Sequence, residues 1–376
     1  MKVALLMLCV ALAGCAAPAV PEVRAGIGAV EAMAGAADSG WARATTPRPF
    51  SFPRDHGPHA EYAIEWWYFT GNLDAGERHF GYQLTIFRRG LAPQIPARAS
   101  AWGAQNIYMA HFALSDVAGG RFYAFDRFSR DGAGLAGASG DPFRVFLEDW
   151  SVTGAGPQSM PMRLQAAQDG VAIDLTLTSL KPPTLQGESG LSQKGPTPGN
   201  ASYYYSLTRM ATSGTVSAAG QSHSVTGLSW MDREWSTSAL EGAVVGWDWF
   251  ALQLDTGADL MFYRLRTADG AVSPFTGGSL TAPDGSVTRL SVEDVRLEPL
   301  DTWRSPRSSA VYPSRWRISI PKLELELELT PHLLDQELPV SVVYWEGAVA
   351  ISGSQGGQPV GGDGYVELTG YADSGQ

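Results

Sequence analysis

From Tyr62 to Arg88 the chain carries two runs of aromatic and β-branched residues, Tyr62 to Leu73 and Phe80 to Arg88, around the turn residues Asp74-Ala75-Gly76-Glu77. Runs of this length joined by an Asp/Gly turn predict a β-hairpin. Similar runs recur at Ile107 to Leu114, Arg121 to Phe128, Phe143 to Trp150, Val171 to Leu180 and Tyr203 to Met210, with Asp, Gly, Ser and Pro between them. The sharpest pattern is Leu323, Leu325, Leu327 and Leu329 alternating with Glu324, Glu326 and Glu328. A period of two sends the leucines to one face of a strand and the carboxylates to the other. One wet face marks an antiparallel sheet, because parallel strands are buried on both sides. No window sustains an apolar period of 3.6 residues, so little helix is expected.

The pattern also repeats. Trp66, Tyr68, Asp74, Gly76, Tyr82 and Leu84 have the mutual spacings of Trp247, Trp249, Asp255, Gly257, Tyr263 and Leu265, and Ser206-Leu207-Thr208 echoes Glu367-Leu368-Thr369. Two related all-β domains follow, each an antiparallel barrel, at 50–215 and 216–376. Their join is expected near Ala211 to His223, where Ala, Ser, Thr and Gly dominate.

The amino terminus changes the picture of where the chain works. Residues 1–14 read as a signal peptide, a short apolar run too brief to stay as a spanning helix, and Leu12-Ala13-Gly14-Cys15 resembles a bacterial lipoprotein processing site. The expected product carries lipid on Cys15, a tether over 15–49 with one short helix near Val23 to Ala37, and a body held in the cell envelope. Ala16 after the cysteine resembles the outer-membrane pattern, with the body facing the periplasm. Cys9 leaves with the signal, so no disulfide is available and stability rests on packing; an apolar share of 44% is ample for that. A formal charge of −11 without clustered Lys and Arg argues against nucleic acid as a partner.

Phosphate-binding loops, HExxH pairs and Gly-x-Ser-x-Gly elbows are missing, so no cofactor and no metal are expected. His56 and His59, close together beside Pro58, would need a third ligand folded over them to hold an ion. The uncommon side chains gather instead in Glu65 to Gly71 (EWWYFTG), Trp230 to Ser236 (WMDREWS) and Gly246 to Leu254 (GWDWFALQL). Alternation puts Glu65, Trp67 and Phe69 on one face and Trp66, Tyr68 and Thr70 on the other, so one aromatic face must pack between domains, on a tether or around a ligand. An acid among tryptophans is costly unless it is paired or neutral. Either Asp232, Glu234 or Asp248 pairs with Arg233, Arg264, Arg266 or Arg315 at an interface, or Asp232 sits in an aromatic pocket with a raised pKa and donates a proton. Trp67, Tyr204, Trp230, Glu234, Trp247, Asp248 and Trp249 are the pocket candidates, whereas Trp316 and Trp345 read as packing residues.

With Phe262 to Arg266 (FYRLR), Tyr312 to Ile318 (YPSRWRI), Tyr344 to Val349 (YWEGAV) and Gly364 to Tyr371 (GYVELTGY), these clusters resemble the lipocalin-like family of AttH-type proteins and carotenoid 1,2-hydratases over roughly Phe50 to Tyr371. The resemblance implies two tandem lipocalin-like barrels, and it makes Asp232 the counterpart of the hydratases' proton donor. Two functions are expected from it. The first is a lipoprotein that binds an apolar or amphipathic molecule, with ABC-type exporter components as partners. The alternative is a cofactor-free hydratase-like or cyclase-like enzyme acting on an isoprenoid or polyene.

Overall fold

A computed structural model describes residues 40–94, 100–238, 240 and 244–372. The expected signal peptide, Cys15 and the expected helix lie outside them.

Among the described residues the fold is nearly all β, with three single-turn 3₁₀ segments as its only helical elements. The first sheet holds β1 (Ile64–Ala75), β2 (Arg78–Gly90), β3 (Asn106–Asp116), β4 (Arg121–Arg130), β5 (Ala136–Gly140), β6 (Phe143–Leu147), β7 (Trp150–Gly154), β8 (Met162–Gln168), β9 (Val171–Ser179), β10 (Thr184–Leu185), β11 (Leu191–Gln193), β12 (Ala201–Ala218) and β13 (Gln221–Ser238). The second holds β14 (Val244–Leu254), β15 (Asp259–Thr267), β16 (Gly277–Thr281), β17 (Val287–Ser291), β18 (Arg296–Arg304), β19 (Val311–Ile320), β20 (Leu325–Pro331), β21 (Glu337–Pro339), β22 (Val343–Gln355) and β23 (Gln358–Leu368). All pairings are antiparallel, and each sheet curls around its own apolar core. In both, the first strand is hydrogen-bonded to the second and to the last, β1 to β2 and β13, β14 to β15 and β23.

This shared topology bears out the repeat but moves the join. Residues 211–223 are the far end of the β12–β13 hairpin, both strands of which belong to the first sheet, and the chain changes sheets between Ser238 and Val244. The Ala/Ser/Thr/Gly composition there serves a hairpin end instead of a linker. The echo of Ser206 with Glu367 shifts as well. Tyr68 of β1 faces Asp232, and Trp249, its counterpart on β14, faces Glu367, so Asp232 and Glu367 are the equivalent positions. The Leu/Glu strand begins at Leu325, because Pro321–Leu323 form a 3₁₀ turn closed by Glu324 at a φ of +49°.

Residues 40–49, expected as tether, pack on the first barrel. Ala42 N–H donates to Glu61 O at 2.9 Å, Tyr203 hydroxyl donates to Thr46 O at 2.8 Å, and Ala44 is buried. Trp41 lies over Gly90, where any Cβ would collide with its ring.

Candidate active site

Strand alternation sorts the aromatic clusters. On β1, Trp67 and Phe69 enter the first core, while Trp66 and Tyr68 join an apolar cluster between the barrels with Trp230, Trp249, Tyr263 and Tyr365. β13 divides likewise, with Met231 and Trp235 inward and Trp230, Asp232 and Glu234 toward the other barrel. Of the consecutive tyrosines on β12 only Tyr204 faces outward. The outer faces enclose a cavity of about 300 Å³, at the lower end of the range for small-molecule sites. Phe87, Met109, Trp247, Trp249 and Leu265 form its apolar walls, and Asp232, Glu234, Tyr204, Lys194, His111 and Glu367 supply polar groups.

Asp232 is the centre of the polar arrangement. Ser206 Oγ and Trp230 Nε1 donate to its Oδ1 at 2.6 and 2.7 Å, and the Tyr204 hydroxyl donates to its Oδ2. Trp249 Nε1 in turn donates to the Tyr204 oxygen at 3.2 Å. Burial penalises the carboxylate more than these neutral donors stabilise it, and nearby Glu234 adds to the penalty, so the Asp232 pKa rises to about 7. Glu234 has a different setting. Ser202 Oγ donates to it and the Lys194 ammonium stands 3.4 Å away. Burial works against the Lys194 charge, but Glu234, Tyr263 and Asp232 together outweigh it and hold the ammonium above its usual value, 4.1 Å from the centre of the Tyr263 ring.

Across the cavity a second set of acids belongs to the second barrel. Burial pushes Glu367 up to about 8, against a hydrogen bond from Trp247 Nε1 at 3.1 Å and helped by Asp232 and Glu234. Glu346, paired with it on β22, is pushed well above the ordinary range by burial and by Glu367, against a short hydrogen bond from Tyr68. His111 is held down at about 4 by burial, 2.8 Å from the Tyr344 hydroxyl. None of Tyr68, His111, Tyr344, Glu346 or Glu367 was singled out from the sequence as a site residue. The repeat held the one available signal, since aligning β13 with β23 places Glu367 opposite Trp249 as Asp232 stands opposite Tyr68.

The structure also separates the two readings of the acidic clusters, residue by residue. Asp248 points into the second barrel, where Arg264 at 2.5 Å, Arg266 at 3.1 Å and the Tyr371 hydroxyl at 2.9 Å hold it. It is an ion-pair residue away from the cavity. Arg315 pairs with Glu328 and Arg233 with Glu65. Trp67 likewise turns into a barrel interior, under the Arg233 guanidinium, and Trp230 stands behind Asp232, leaving Tyr204, Glu234, Trp247 and Trp249 on the cavity wall. Trp316 and Trp345 are in the second core. His56 and His59 are buried and engaged, His56 2.6 Å from the Tyr205 hydroxyl and His59 stacked 3.7 Å from Trp235.

Known proteins share this architecture. A protein of Nitrosomonas europaea described as AttH superposes with a TM-score of 0.77 and 35% identity, over 88% of this chain and 99% of that one. Kievitone hydratase of Nectria haematococca superposes with a TM-score of 0.65 at 15% identity, over 90% of this chain and 98% of that one, a likeness of fold. The dehydratase asqC of Emericella nidulans is 20% identical over 290 residues, 68% of this chain and 78% of that protein. The AttH-like family model matches residues 43–371, a span that takes in both sheets and the whole wall of the cavity between them, and the chain therefore belongs to the AttH-like family.

Proposed function

We propose that this protein is a cofactor-free enzyme that adds or removes water at a carbon–carbon double bond of an apolar substrate, with Asp232 as the acid. The observation that carries this reading is the company Asp232 keeps. Its three hydrogen-bond partners are all neutral, in a cavity whose walls are mostly aromatic and aliphatic. A carboxyl so placed retains its proton near neutral pH and can give it to an alkene. In hydration the Asp232 proton forms the new C–H bond, a water oxygen bonds to the resulting cationic carbon, and the proton that water loses restores the acid. Dehydration runs the same steps backwards. The faces of Trp249, Trp66 and Phe87 suit a passing positive charge.

The dehydratase among the relatives and the fold held in common with a hydratase agree with this chemistry. A carrier for the same molecule, the function placed first from sequence, needs only the apolar walls and leaves the setting of Asp232 without a use. An isoprenoid or other polyene suits the walls, and a cyclisation begun by the same proton transfer would use the same acid.

The test is incubation with isoprenoid and polyene alkenes, and with the corresponding tertiary alcohols, in ¹⁸O-labelled water. Protein-dependent uptake of ¹⁸O into product, or loss of water from an alcohol, is expected by mass spectrometry. Recovery of bound but unaltered compounds across the panel would return the carrier reading.

On the motif Leu12-Ala13-Gly14-Cys15 the enzyme works as a lipid-anchored protein of the cell envelope. Cys15→Ser should abolish labelling by a fatty-acid probe and move the protein to the soluble fraction with its melting temperature unchanged. A wild-type protein without label would end this part of the reading.

A further inference from the structure

Away from the cavity, at the seam where β1 and β2 of the first barrel meet β22 and β23 of the second, two histidines from opposite halves of the chain face each other. The rings of His79 and His332 lie 4.3 Å apart, tilted by 35°. Asp363 of β23 joins them, its Oδ1 3.1 Å from His332 Nε2, and one ligand atom from each of the three falls within 4.8 Å of the others. All three side chains are half-buried. The backbones approach closely beside them, since a Cβ on Gly81 would lie 2.5 Å from that of Ala348.

The hydrogen bonds of His79 are what make this more than a chance meeting. Its Nδ1 lies 2.8 Å from Asp74 Oδ1, and its Nε2 lies 3.1 Å from Asn72 Oδ1. The Asn72 amide is oriented from the other barrel, because its Nδ2 donates to Gly364 O at 3.0 Å. Both nitrogens of His79 therefore face acceptors. A neutral imidazole carries one N–H and can satisfy only one of them. A second proton on Nε2 would satisfy the other, and so would a metal ion, with Nδ1–H donating to Asp74 in the carboxylate–histidine arrangement that orients metal ligands.

We propose that His79, His332 and Asp363, with Asn72 Oδ1 as a fourth donor, form a binding site for a divalent metal of the zinc class that fastens the two barrels together. Two imidazoles and a carboxylate suit Zn²⁺ or its first-row neighbours, and oxygen-seeking Ca²⁺ or Mg²⁺ much less. Ligand atoms on a four-coordinate zinc with bonds of about 2.0–2.1 Å lie about 3.3 Å apart. The His332–Asp363 pair and the His79–Asn72 pair are each 3.1 Å apart, close to that separation. The site is independent of the proposed water chemistry.

The experiment uses the purified full chain after chelator treatment, with Zn²⁺ and, as a spectroscopic probe, Co²⁺. One Co²⁺ per chain should bind with visible absorption bands of an imidazole-ligated ion, and Zn²⁺ should displace it and raise the melting temperature by several degrees. His332→Ala should weaken binding at least about 100-fold and abolish the thermal shift. Asp363→Asn gives a milder second variant should His332→Ala fold poorly, with binding weakened at least about 10-fold. Absence of Co²⁺ bands at saturating metal, or equal affinity in wild type and both variants, would overturn the proposal.

Discussion

Asp232→Asn should lose about 10²- to 10⁴-fold in turnover, the usual contribution of a positioned general acid, while its folded state becomes no less stable than wild type. The hydrogen bonds explain why the two effects part. Asn keeps an oxygen for Ser206 Oγ and Trp230 Nε1, and its amide can donate to the Tyr204 oxygen, so the one group that loses its acceptor is the Tyr204 O–H, which lies on the cavity wall. What disappears is the ionisable proton. The pH dependence follows from linkage. Asp232 moves from an ordinary value of 3.8 to about 7 on folding, so between those limits the folded protein binds more protons than the unfolded chain. Wild-type stability therefore falls as pH rises from about 4 to 7 and stays reduced above it, by at most about 4 kcal/mol for this group. Asp232→Asn lacks that decline, so its melting temperature should match wild type near pH 4 and exceed it at pH 8. Melts across that range, with turnover on the substrate found by ¹⁸O labelling, make the measurement. A variant that melts lower as pH rises would mean that Asp232 works as an ionised pair; undiminished turnover would remove it from the chemistry.

The strand pattern alone does not separate Asp232 from Asp248, since both stand beside tryptophans on strands of the same kind; only the family resemblance does. Alternation gives the two faces of β1 correctly, because side-chain period is a local property of the backbone. It does not say what covers the outer face. A polar residue on the outside of a barrel strand is ordinarily the wet side, and Glu346 and Glu367 fit that pattern until the first barrel covers Glu346 fully and Glu367 in part. Glu65 shows the converse, an acid that alternation places in the core and whose partners are Arg88, opposite it on β2, and Arg233, far along the chain on β13. The misplaced join has a related origin. β12 and β13 run 18 residues each, beyond the usual strand length, and the small residues at their far end resemble a connection. His79 and His332 share no local pattern at all, since only the docking of two barrels brings them together.

The largest loss of stability is expected from Arg233→Met. Arg233 is wholly buried, pairs with Glu65, and donates to Gly57 O at 2.7 Å, Glu234 O at 3.0 Å and Trp66 O at 3.3 Å, with its guanidinium 4.0 Å from the centre of the Trp67 ring. Glu65 is also wholly buried and shared with Arg88, which continues to His59 O and Tyr62 O. This network ties the segment before β1 to the end of the first barrel. Burial alone would raise the Glu65 pKa, but Arg233 and Arg88 together hold it well below the ordinary carboxylate range. Methionine fills much of the arginine's volume yet leaves Glu65 with one cation and removes the arginine donor from Gly57 O, which lies outside any strand. The expected cost is about 3–5 kcal/mol, a large part of the usual 5–15 kcal/mol stability of a folded protein. Because the folded value of Glu65 lies below its unfolded one, its contribution is present above about pH 4.5 and is lost as pH falls through the folded value. With one arginine gone the folded value rises, so acid unfolding of Arg233→Met should begin at higher pH than in wild type. Glu65→Gln added to Arg233→Met should recover part of the loss, since it removes the under-compensated charge. Urea melts at pH 7 and acid titrations of the three proteins supply the comparison. An Arg233→Met protein within about 1 kcal/mol of wild type would show that the barrel end is held by its packing and that the buried ions are dispensable.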